Sequence, residues 1–221
     1  MFSWRFKRAL GRLFKALIMP LLFLFFIVNI YCCYNALCGI LPRYYSYYGF
    51  VGGLALYFVF RRLQRKNIDF LETYTHENIH VFVGLLFLQR IHSFSATSGG
   101  GGLITHSGKY ANNAFIALAP YCLPLYTYIL FIPRSIIVPG YLWIYDIIVG
   151  FTVGFHALAI KGDIRPDQSD IKSQGITFSY LFIGAFIFFG AAIILWAIPF
   201  GILGAFAKWW ECVMVLATRV V

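Results

Sequence analysis

The chain has 221 residues, of which 61% are hydrophobic, 20% aromatic and only 12% charged, with a formal net charge of +10. A soluble domain carries about 25% charged residues, so an ordinary soluble enzyme, a disordered regulator and a secreted disulfide scaffold are excluded. The basic excess, 18 Lys and Arg against 8 Asp and Glu, clusters beside apolar runs and reads as a topology signal rather than a nucleic-acid surface.

Residues 1–15 carry Arg5, Lys7, Arg8, Arg12 and Lys15 interleaved with Phe2, Trp4, Phe6, Leu10, Leu13 and Phe14. This is a basic amphipathic lead-in suited to anionic lipid headgroups. Residues 16–67 are read as two N-terminal spans and a basic cytoplasmic loop. The uncharged run 16–42 reaches about 40 Å as a helix, enough to cross a bilayer. A second uncharged run, 44–60, begins with Tyr44, Tyr45, Tyr47 and Tyr48, which suit an interfacial belt, and stops at Arg61, Arg62, Arg65 and Lys66. Two crossings between two basic clusters put both on the cytoplasmic side. The five cysteines, Cys32, Cys33, Cys38, Cys122 and Cys212, show no CxxC pair and read as small hydrophobes in or beside apolar runs.

Residues 68–200 read as the membrane core. Segment 68–91 holds Asp69, Glu72, His76, Glu77 and His80 in its first half and is apolar in its second. Segment 92–113 is Ser- and Gly-rich, with four successive glycines from Gly99 to Gly102. Polar and apolar residues alternate on both sides of them, which predicts two short strands around a glycine turn, or a re-entrant segment. Residues 114–132 read as a fourth span bent by Pro120 and Pro124, 141–160 as a fifth, and 173–207 as a sixth with a break near Pro199-Phe200-Gly201. Residues 201–221 form an interfacial helix or a short last crossing. The expected fold is therefore an all-α polytopic membrane protein of about six transmembrane helices, with a cytoplasmic N-terminus.

The sharpest chemical feature is His76-Glu77-Asn78-Ile79-His80, an HExxH pattern. Residues four apart share one face of a helix, so the two imidazoles can converge on one metal ion, and Glu77 on the adjoining edge can take a proton from a water. Zn2+ suits this task because it brings the pKa of a bound water toward neutrality and keeps a position open for a substrate carbonyl. Ionisable residues in an apolar helix are costly and point to function. Catalytic zinc usually has three protein ligands. Composition leaves Asp146, His156, Asp163, Asp167, Asp170, His92 and His106 open for the third place, with Asp146 also able to pair with Arg134.

From THENIH at 75–80, the sequence resembles the site-2 protease family of intramembrane zinc metallopeptidases (M50), in its compact bacterial form. The likeness continues through SFSATSGGGGLITHSGKY at 93–110, ALAPYCLPL at 117–125 and HALAIKGDIRPDQSD at 156–170. The resemblance implies metal ligands His76, His80 and Asp170, Glu77 as general base, and a membrane-spanning protein as substrate in a bacterial inner membrane. Ile171 stands where the family usually has a glycine after the ligand aspartate, and Ala119 replaces the glycine before Pro120. Simple alternation of spans makes a different prediction: Asp170 falls on the side of the membrane opposite to the entry of the His76 helix, and Asp146 lies nearer. The rival readings are an inactive scaffold or regulator of the same architecture, and a haem or proton-carrying protein.

Overall fold

The computed structural model describes residues 4–96, 102–107 and 113–220. Among these the chain is almost wholly helical, with one two-stranded antiparallel sheet. Helix α1 (Trp4–Cys38) runs without a break from the basic lead-in into the first apolar run. A 3-10 segment, Leu41–Tyr47, carries the chain to α2 (Tyr48–Leu63), and α3 (Arg65–Leu86) bears the HExxH sequence. Strands β1 (Arg90–Ala96) and β2 (Gly102–Ser107) pair antiparallel, with the register shifting between Ile91 and Ser93. Then follow α4 (Ala114–Leu118), α5 (Leu125–Arg134), α6 (Leu142–Asp163), α7 (Ser169–Gln174) and α8 (Ile176–Val220).

Among the described residues three helices, not six, are long and apolar enough to cross a membrane: Leu17–Cys38, Pro139–Asp163 and Ile176–Arg219. The number becomes four if Ala114–Tyr121 and Leu125–Arg134 count as one broken span, since they meet at 79°. Each departure from the expected count has a local cause. Helix α2 has only 16 residues, short of the roughly 20 that a bilayer core requires. Helix α3 is long enough at 22 residues, but its first half holds the charged and histidine side chains. Pro120 and Pro124 break the predicted fourth span, because proline lacks the N–H that would continue the helix.

The predicted break in the last apolar run falls at Gly201, whose φ of 71° is open to glycine and costly for other residues. The chain folds back there. Phe189 and Trp209 are twenty residues apart, about 30 Å in a straight helix, yet their ring centroids lie 5.3 Å from each other. The returning segment packs on α1, where Trp209 Nε1 donates to Asn29 Oδ1 at 2.8 Å. Thus 202–220 forms a helix folded against the bundle.

Helices α2 and α6 run parallel along a seam of glycines. Gly49 and Gly53 face Trp143 and Ile147, while Gly150 and Gly154 face Phe50 and Tyr57. A Cβ on Gly49, Gly53 or Gly150 would overlap a backbone carbonyl of the other helix. Paired small-xxx-small spacings let two apolar helices approach until their backbones touch, which drives helix association where no hydrophobic effect operates. The seam brings the last turns of α2 and α6 to the same end of the bundle, beside α3. Arg61 of α2 forms an ion pair there with Glu72 of α3.

Candidate metal centre

His76 and His80 lie one turn apart on α3, their ring centroids separated by 5.0 Å. Their outer nitrogens are both committed. His76 Nδ1 donates to Asp163 Oδ2 at 3.2 Å, and His80 Nδ1 donates to the Ile116 carbonyl at 2.8 Å. Each ring is thereby held with Nε2 turned toward Asp170, whose Oδ2 lies 3.9 Å from His76 Nε2 and 3.4 Å from His80 Nε2. Ligand atoms of the three residues all fall within 4.8 Å of one another.

These separations suit a small cation. Ligands about 2.0–2.1 Å from a tetrahedral zinc stand about 3.4 Å apart; the His80–Asp170 separation of 3.4 Å matches this, and the His76–Asp170 separation of 3.9 Å is longer. Two neutral imidazoles and one carboxylate form a donor set that zinc accepts, though other divalent ions share it. Outer partners on both Nδ1 atoms are what a histidine ligand needs to fix its tautomer and direction. Glu77 is the next residue on the helix and is buried.

Asp170 owes its position to a short polar turn. Residues 164–168 leave α6, α7 begins at Ser169, and Gly175 at φ 93° ends α7 and turns the chain into α8. Ile171 is fully buried and Ser179 Oγ donates to its carbonyl at 3.1 Å, which ties α7 to α8. The Tyr121 hydroxyl donates to Asp170 Oδ2 at 3.3 Å, and its ring meets His76 edge-on at 5.1 Å. Burial works against ionisation of Asp170, but the facing imidazoles outweigh it and hold the carboxyl well below the usual carboxylate range.

The expectation that Asp170 lies across the membrane from His76 fails for a topological reason. Helices α3 and α5, with the hairpin and α4 between them, make one net passage along the bundle instead of two. Pro124 and Leu125, at the start of α5, border a small cavity with His76. Arg134, at the end of α5, reaches the carbonyls of Ala197 and Ile198 at the opposite end. Helix α6 therefore returns toward the histidines, and Lys15 of α1 bonds to Gln174 of α7 at that same end.

The other residues considered as third ligand go elsewhere. Asp146 is 2% exposed and accepts from Arg134 at 2.7 and 2.8 Å, far from the histidines. Asp163 supports His76 from behind. Asp167 is exposed, 3.8 Å from Arg165, and His92 is an exposed residue at the irregularity of β1. The side chain of His106 lies outside the described residues. His156 joins His76, Thr127 and Thr152 around a cavity of about 20 Å3, room for a single water. Sequence reasoning missed Tyr121 and the Ile116 carbonyl, for which the sequence carries no signal, and treated Asp163 only as a possible direct ligand. Comparison with protein-family models, curated proteins and solved structures yields no match.

Proposed function

We propose that the protein is a zinc-dependent endopeptidase of the site-2 protease type, cutting a membrane-spanning protein substrate in a bacterial inner membrane. The observation that carries this reading is the convergence of His76 Nε2, His80 Nε2 and Asp170 Oδ2 beside Glu77, on a helix packed within an apolar bundle. His76, His80 and Asp170 would hold the ion. Zinc, when bound, supplies Lewis acidity toward a substrate carbonyl and acidifies a water.

The chain's own residues account for the rest. Glu77 takes a proton from the attacking water onto its carboxylate and returns it to the amine that leaves, the two-way transfer expected of one general base. Asp163 and the Ile116 carbonyl keep both imidazoles in the ligating orientation. The β1–β2 hairpin lies along α3, with Phe94 against Tyr74 at 5.6 Å. Among the described residues the sheet has two strands, and an outer edge of such a sheet can hold a locally unwound peptide by backbone pairing. The basic N-terminal segment draws the protein to anionic headgroups.

Glu77→Gln tests the reading. Wild type and variant, purified and reconstituted with single-span reporter peptides, are compared by mass spectrometry of products and by metal analysis. The variant is expected to keep its zinc and to lose about 10²- to 10⁴-fold in cleavage rate. Undiminished cleavage removes Glu77 as the base. Stoichiometric zinc in a wild-type protein that cuts none of the reporters favours the inactive-scaffold reading.

A further inference from the structure

A second polar site lies at the end of the bundle opposite the histidines. The fold-back at Gly201 brings the start of the returning helix alongside the C-terminal end of α1, and a cleft of about 250 Å3 opens between them. Trp196 and Phe200 wall it on the α8 side, Asn35 and Arg43 on the α1 side, and Lys208 and Glu211 on the returning helix. No motif of the proposed peptidase includes any of these residues.

The charges around this cleft do not balance. The guanidinium carbon of Arg43 lies 5.1 Å from the centroid of the Phe200 ring, and Lys208 Nζ lies 5.7 Å from the same centroid. Lys208 is paired with Glu211 at 2.7 Å. Arg43 has no such counter-charge among the described residues; its one hydrogen bond is a long one, Nη1 donating to the Gly39 carbonyl at 3.5 Å. Two cations gathered on one ring, against a single carboxylate, leave a net charge of +1 and a guanidinium fork with donors to spare. A planar fork beside an ammonium matches the oxygens of a phosphate group.

The surroundings decide what carries that phosphate. Tyr44, Tyr45 and Tyr48 form an exposed cluster beside Arg43, with ring centroids 3.8 and 5.7 Å apart. Exposed tyrosines at a helix end mark the level of lipid headgroups. Leu203, just past the fold-back, is 83% exposed, an apolar surface that an acyl chain would cover. We infer that the cleft between Arg43 and Lys208 binds the phosphodiester of an anionic phospholipid, which pins the returning helix 202–220 to α1.

The test uses the full chain, purified in a neutral maltoside and titrated with dioleoyl-phosphatidylglycerol under native mass spectrometry. The wild type is expected to hold one lipid more tightly than the rest. Arg43→Gln should weaken that adduct about tenfold and Arg43→Lys less, because the charge remains and the fork is lost. Glu211→Gln should strengthen it about threefold, since it removes the one carboxylate that lines the cleft among the described residues. Equal circular dichroism and equal zinc content across the variants show that the fold is intact. Unchanged lipid affinity in Arg43→Gln overturns the assignment, as does an equal loss in Arg219→Gln, a basic residue away from the cleft. A second arm adds millimolar inorganic phosphate. Retention of the lipid supports a lipid site, and displacement identifies the occupant as free phosphate and overturns the lipid assignment.

Discussion

Two of the charge clusters in this apolar bundle are completed in opposite ways. At one end, Arg134 meets Asp146 through two short bonds and spends its remaining donors on the Ala197 and Ile198 carbonyls. One cation meets one anion, and each of the three guanidinium nitrogens finds an acceptor. At the other end, His76 and His80 donate outward through Nδ1 and turn Nε2 inward toward Asp170. With neutral imidazoles, that places three acceptors face to face. A proton on an imidazole or a metal ion shared by the three residues would complete such a group. The first cluster is a structural clasp, and the second could hold a metal ion.

The largest expected effects come from exchanging one aspartate in each cluster. Asp170→Asn should lower zinc affinity by more than the roughly 10- to 100-fold that an outer partner costs, with little loss of folding stability. Asp146→Asn should do the reverse. It strands a buried guanidinium, a change that typically costs about 3–5 kcal/mol, and the protein that remains folded should bind zinc as the wild type does. Denaturant titration in detergent and metal analysis of both variants read the two effects separately. Zinc loss in Asp146→Asn with Asp170→Asn unaffected would reverse the assignment of the two clusters.

The same contrast explains what could be read from the sequence. His76, Glu77 and His80 are legible because helical geometry fixes what residues four apart can share. The Arg134–Asp146 pair is legible as an option, since few charges occur in that stretch and each needs a partner. Asp170 follows from motif order but not from hydropathy. Counting apolar runs does not register how sharp the bend between Ala114–Tyr121 and Leu125–Arg134 is, 79°, and that bend bears on the end at which Asp170 emerges. The seam of Gly49, Gly53, Gly150 and Gly154 is written in the sequence as two spacings of four. Its meaning depends on which helix lies opposite, and that is a tertiary fact.

A smaller effect separates the ligands from their supports. Asp163 touches the ring of His76 only through Nδ1. Asp163→Asn can still accept a hydrogen bond there but no longer carries the charge that raises ligand basicity. Zinc affinity is expected to fall about 10- to 100-fold, with the stoichiometry at saturation unchanged. Competition with a chelator of known affinity measures it. A variant that binds no zinc even at saturation would make Asp163 a direct ligand, and the centre would then have four protein groups and no open position.

The smallest effect belongs to Tyr121. Its hydroxyl donates to Asp170 Oδ2 over 3.3 Å, near the long limit for such a bond, while its ring is fully buried against His76. Tyr121→Phe keeps the ring and removes only the donor, a loss of about 0.5–1.5 kcal/mol for an ordinary hydrogen bond. Zinc affinity should therefore change by about tenfold or less, below the effect of Asp163→Asn. Tyr121→Leu also removes the edge-on packing that holds the His76 ring, so it should cost more than the phenylalanine variant. If the two variants lose affinity equally, and by more than Asp163→Asn, the hydroxyl rather than the ring is what orders the centre, and the carboxylate of Asp170 is held chiefly by that one donor.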